Sequence, residues 1–142
     1  MRILALDVGE RRVGVAVSDP TGTIARPLHT IRRASRADDF AAIAHLVDAY
    51  QAEAVVVGQP LSLDGCAGPQ ARRVARYADA LAETLAIPVI SWDERFSTAR
   101  ADEILRETRG ERAKRRARAD GEIDAIAAAV ILQRYLDSKR GD

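Results

Sequence analysis

Apolar positions along the chain fall into two kinds of pattern. The first is the short unbroken run: Ile3 to Val8, interrupted only by Asp7, then Val13 to Val17, Ala54 to Val57, and Ile87 to Trp92 around Pro88. Runs of four to six residues rich in Val, Ile and Leu and bounded by glycine or charge predict buried strands. The second kind repeats at helical spacing: Phe40, Ile43, Val47 and Tyr50; Val74, Tyr77, Leu81 and Leu85; and Ile123 to Tyr135, apolar over most of its circumference. Local signals agree with the helical assignments. Ser35-Arg36-Ala37-Asp38 has the form of a capping box ahead of the first, and Pro69 suits the first turn of the second.

Between the first two runs, Gly9 and Gly14 bracket a charged turn, which predicts a hairpin with a bulge. A third strand is expected from about Thr23 to Ile31, with Pro27 tolerated near an edge. Ala54 to Val57, wholly apolar, has the character of a central parallel strand covered on both faces. Ser97 or Thr98 caps a further helix with a weak stripe at Ala101, Ile104 and Leu105, and the final helix spans about Glu122 to Ser138. The expected architecture is α/β: a mixed five-stranded sheet, three antiparallel strands plus two parallel, flanked by helices in a single domain over residues 1–142.

The chain has 47% apolar and 30% charged residues, a globular balance, and only 4% aromatic residues, too few for a sheet of stacked rings that binds RNA bases. One cysteine, Cys66, excludes an internal disulfide, and two histidines, His29 and His45, give no zinc spacing. No apolar run reaches the ~20 residues of a membrane span, and the few residues before Asp7 are too short for a signal peptide. A cytoplasmic protein is expected, with no membrane partner and its oligomeric state open. Net charge is +1, yet between Arg106 and Asp120 seven basic residues face three acidic ones, a segment able to hold a polyanion locally. Nothing in that segment supplies a core face, so it reads as mobile.

Three carboxylates stand out against this frame. Asp7 interrupts the first strand, Glu94 follows the fifth, and Asp124 opens the last helix. Each has a plain alternative: Asp7 as a turn former, Glu94 as the surface partner of Arg95, Asp124 as a complement to the helix dipole. Ligands of parallel sheets, however, gather at the carboxyl ends of strands. Three oxygen donors without His or Cys suit Mg²⁺ or Mn²⁺, and two such ions serve phosphodiester hydrolysis. A glycine turn after an aspartate also suits an ATPase fold. The chain lacks both a Gly-Lys-Ser/Thr motif and a second domain to close on nucleotide.

Four ordered motifs carry a family resemblance: Leu6-Asp7-Val8-Gly9 with Val13 to Asp19; Gly58-Gln59-Pro60-Leu61 with Asp64-Gly65; Asp93-Glu94-Arg95 with Ser97-Thr98; and Ile123-Asp124 with Ala127-Ala128, Ile131-Leu132-Gln133 and Tyr135-Leu136. In this order the chain resembles the YqgF (RuvX) family, described as Holliday junction resolvases or as nucleases that mature the precursor of small-subunit ribosomal RNA. The resemblance implies a ribonuclease H-like fold and a metal-dependent phosphodiesterase with Asp7, Glu94 and Asp124 as catalytic carboxylates and metal ligands. Its cofactor would be Mg²⁺ or Mn²⁺, two ions. Its partners would be pre-rRNA or branched DNA, and the small ribosomal subunit. Arg95, Arg112, Lys114, Arg115, Arg116 and Arg118 are the candidate phosphate contacts. The chain departs from the family at Gln59, usually Leu, and at Arg100, commonly acidic. Related resolvases carry a fourth carboxylate where Ala127 stands; Asp120, one turn earlier, is the candidate substitute. A non-catalytic nucleic-acid-binding factor for ribosome assembly, retaining the fold, is the competing reading.

Overall fold

In a computed structural model, residues 1–59, 68–93 and 122–140 are described. Strands β1 (Arg2–Val8), β2 (Arg12–Ser18) and β3 (Ala25–Arg32) are followed by α1 (Arg36–Tyr50), β4 (Ala52–Gln59), α2 (Pro69–Thr84), β5 (Val89–Asp93) and α3 (Glu122–Arg140). They build one five-stranded sheet in the order β3-β2-β1-β4-β5. β2 is antiparallel to both β1 and β3, while β1, β4 and β5 run parallel, as the apolar runs predict. The helix that the sequence predicts after Ser97 lies outside the described residues.

Local chemistry explains the joints. Ser35 caps α1 by accepting from the Asp38 amide at 3.1 Å, and Pro69 occupies the start of α2, where a missing N–H costs nothing. The turn between β1 and β2 is closed by the Gly9 amide donating to the Arg12 carbonyl at 2.9 Å. Two expectations about this hairpin are corrected. Its register runs unbroken from Leu4↔Val17 to Val8↔Val13, and Gly14 is a strand residue paired with Asp7 rather than the end of the turn. The bulge falls instead between β2 and β3, at Val15/Ala16, where edge-strand Pro27 has no N–H to offer the ladder.

Strand alternation divides the core in two. Leu4, Leu6, Val8, Val13, Val15, Val55 and Val57 face α1 and α2, where they meet Phe40, Ile43, Val47, Val74, Tyr77 and Leu81. Phe40 and Tyr77 touch edge to face, with ring centroids 5.1 Å apart. On the other side Ile3, Ala5, Ala16, Ala54 and Val56 lie under Ala128, Ile131, Leu132, Tyr135 and Leu136 of α3. The smaller side chains on this second face let α3 lie close to the strands. Gln133 ties it further, accepting from the Ala25 amide at 2.9 Å and donating to the Thr23 carbonyl at 3.0 Å.

Candidate active site

Asp7 continues the Ile3, Ala5 series and so belongs to the α3 face, one residue from the carboxyl end of β1. Its antiparallel partner, Gly14, lies directly under the start of α3. A Cβ built on Gly14 would stand 1.9 Å from the Asp124 carbonyl oxygen and 2.2 Å from its carbonyl carbon. Only glycine admits the helix backbone at that separation. The pairing Asp7↔Gly14 and the contact Gly14–Asp124 together bring two carboxylates to one place, although 117 positions separate them in the chain.

These carboxylates affect one another. Burial, then the charge of Asp124, raises the Asp7 pKa from its ordinary 3.8 to about 7. Burial also raises that of Asp124, against the lowering effect of Arg12, whose Nε lies 3.0 Å from Asp124 Oδ2. That pair is electrostatic rather than a well-aligned hydrogen bond, and Asp124 Oδ2 is left solvent-inaccessible with no hydrogen-bond donor among the described residues. The turn reading of Asp7 does not apply, because backbone groups close the turn.

Two facing carboxylates, one with an unsatisfied buried oxygen, are costly as neighbours and suit a cation between them. Their oxygen-only donor set fits Mg²⁺ or Mn²⁺. Among the described residues no cluster of three acidic, His or Cys side chains forms. Glu94 follows the last residue of β5 in sequence; it, Arg95, Arg112, Lys114, Arg115, Arg116, Arg118 and Asp120 lie outside the described residues.

Comparison with known proteins decides the family. A model described as "RuvX: Holliday junction resolvase" matches residues 1–138. The chain belongs to the RuvX family. A protein of Caldanaerobacter subterraneus subsp. tengcongensis named "Putative pre-16S rRNA nuclease" is 45% identical over 99% of both chains. One of the same name from Syntrophus aciditrophicus is 47% identical over 97% of this chain and 89% of its own. Among solved structures, Thermus thermophilus RuvC in complex with a Holliday junction substrate superposes with a TM-score of 0.59 at 15% identity, covering 99% of this chain and 96% of RuvC. The fowlpox virus Holliday junction resolvase does so with a TM-score of 0.56 at 14% identity, covering 98% and 99%. This RuvX chain therefore has the ribonuclease H-like fold of those resolvases, as its motifs lead one to expect.

Two site residues escape the sequence reading. Arg12 pairs with Asp124, and Gly14 makes the close approach. The only signal for Gly14 is a glycine inside an apolar strand run, which marks a bulge or a near backbone.

Proposed function

We propose that this RuvX-family protein is a metal-dependent endonuclease that hydrolyses phosphodiester bonds in structured nucleic acid, most specifically at the 5′ side of pre-16S rRNA during ribosome biogenesis. The observation that carries the reading is the carboxylate pair Asp7–Asp124, assembled on Gly14 with a solvent-inaccessible Asp124 oxygen beside Arg12. The names of the full-length relatives support the substrate.

In this reading Asp7, Glu94 and Asp124 hold Mg²⁺ or Mn²⁺, as two ions, in a cytoplasmic enzyme. When bound, such ions activate water and stabilise the leaving oxygen of a phosphodiester. The chain's own residues prepare that state. Asp7 and Asp124 would hold the cation as carboxylates, so any proton that burial keeps on Asp7 would pass to solvent as the ion binds. Arg12 orients Asp124 from the β2 side. Arg95 and the basic segment at Arg112, Lys114, Arg115, Arg116 and Arg118 hold the phosphate backbone, which in the cell belongs to the small-subunit precursor. A four-way DNA junction is the second substrate reading, supported by the family's description.

The test is a Mn²⁺ and Mg²⁺ titration of cleavage on a pre-16S rRNA fragment and on a four-way DNA junction, wild type beside Asp7→Asn. Cleavage of the rRNA that Asp7→Asn lowers by about a thousandfold or more, on the order of 4 kcal/mol of barrier, supports the proposal. Cleavage of the junction alone assigns the second substrate. Tight metal-independent binding without cleavage of either contradicts the enzyme reading and favours an assembly factor.

A further inference from the structure

On the opposite face of the sheet, a cavity of about 450 Å³ opens where the β1–β2 turn meets the first turns of α1 and α2. Among the described residues four arginines line it, Arg33, Arg36, Arg73 and Arg76, against one carboxylate, Glu10. We propose that this arginine-lined cavity receives a backbone phosphate of the same nucleic-acid strand that is cut at Asp7, a contact separate from the basic segment between Arg106 and Asp120. The proposal rests on the nuclease reading above and names where that substrate is held.

The cavity is built around one fixed guanidinium. Arg33 donates through Nη1 to the Gly9 carbonyl at 2.8 Å, lies 4.8 Å from the centre of the Tyr77 ring, and has its Nε 3.4 Å from Asp39 Oδ2. Asp39, only 1% exposed, is held in turn by the Ala34 amide at 3.0 Å and the Tyr77 hydroxyl at 3.2 Å. A buried carboxylate thus sets an arginine that faces a cavity, the arrangement by which planar phosphate recognition is made rigid. Burial, then the Asp39 charge, pushes the Tyr77 hydroxyl well above its ordinary pKa, so it stays a donor to Asp39.

The remaining three cations, Arg36, Arg73 and Arg76, are exposed around the cavity. Arg36 opens α1, and Arg73 lies near the start of α2, whose first turn carries no acidic residue and whose Gly68 cap makes no side-chain bond. Cations at helix starts oppose the macrodipole, whereas an anion is favoured there. Arg73 is satisfied only at the surface, 3.7 Å from Glu10 and 3.0 Å from Gln70. Arg36 and Arg76 make no ion pair among the described residues and are exposed. Position identifies the ligand. Gly9, on the cavity wall, is two residues beyond Asp7, about 7 Å of extended chain. A strand with one phosphate at Asp7 has only to cross the hairpin tip to present a neighbouring phosphate to these arginines.

The test is binding without cleavage, in an Asp7→Asn background, of the rRNA fragment and the four-way junction over a range of salt. Arg36→Gln with Arg76→Gln is expected to weaken binding about tenfold or more and to reduce the slope of log K against log salt by about 1, for the one phosphate no longer held. The melting temperature should stay unchanged, and Arg36→Lys with Arg76→Lys should restore most of the slope. Arg26→Gln with Arg134→Gln, which removes equal charge from exposed positions on β3 and α3, should leave both affinity and slope near the parent's. If the cavity variant binds like its parent, or if the Arg26/Arg134 control loses as much, the cavity site is wrong and the nuclease reading stands. Failure of the parent to bind either nucleic acid contradicts the nuclease reading, and this site with it.

Discussion

The two faces of the sheet reach the hairpin tip in opposite chemical states. On the α3 side the chain places Asp7 against Asp124, two carboxylates made reluctant to ionise by burial, Asp7 also by the charge of Asp124. On the α1/α2 side, beyond Val8 and Gly9, it gathers four arginines around a cavity. A single step of strand alternation separates acidic from basic. The acidic face is assembled by close backbone approach, and Arg12 offsets the charge of Asp124 alone among its two carboxylates. The basic face is assembled by a buried carboxylate, and its central charge is held in place. A cation suits the first and an anion the second, the pair of demands made by a metal-dependent enzyme acting on a phosphodiester.

The largest way to break this division is Gly14→Ala. The new Cβ would meet the Asp124 carbonyl, backbone rather than a flexible side chain, so α3 must shift from β2. A loss of about 3 kcal/mol of stability is expected in denaturant titrations, together with loss of the Asp7–Asp124 juxtaposition and hence of cleavage. Next is Asp39→Asn, which keeps the shape but removes the charge that positions Arg33. The expected cost is about 2 kcal/mol, with weakened nucleic-acid binding and no effect on Mn²⁺ affinity. Tyr77→Phe removes one hydrogen bond to Asp39 and should cost about 1 kcal/mol by the same measurement.

A subtler effect is carried by pH. The native Asp7 carboxyl titrates near 7, while in the unfolded chain it returns to its ordinary 3.8. Between about pH 4 and 7 the native state therefore binds more protons than the unfolded state, so the stability of metal-free protein falls as pH rises through this window and levels off above it. Asp7→Asn should flatten the slope and raise the metal-free melting temperature at pH 8. Saturating Mn²⁺ should stabilise wild type most at that pH, because the ligands are then already deprotonated.

The comparison also marks how far sequence reasoning reaches. Sheet and helices were legible because each apolar run is buried in a single local pattern, as in β4, where Val55, Val56 and Val57 are fully enclosed. Asp7 was legible because a carboxylate inside such a run demands an explanation. Asp124 is marked by its place at the start of an apolar helix, and again by the family motif around it. Gly14 reads as a turn residue in the sequence because its role is set by the backbone of a helix more than a hundred residues later. The Asp39–Tyr77–Arg33 cluster has no signature in the sequence for a related reason. Asp39 sits beside Asp38 in the first turn of α1 and looks like helix-start charge, while its partner Tyr77 shows only a core spacing 38 residues away. Arg73 and Arg76 are exposed, and the wall they share with Arg33 and Arg36 exists only once α1 and α2 pack on the same face.

The most direct test of the division is Mn²⁺ binding by calorimetry at pH 8 to wild type, Asp7→Asn, Asp124→Asn and the Arg36→Gln/Arg76→Gln variant. The account predicts that either acidic-face substitution lowers Mn²⁺ affinity by about tenfold or more, while the arginine variant binds Mn²⁺ as wild type does. Mn²⁺ binding that survives both Asp7→Asn and Asp124→Asn unchanged would contradict it.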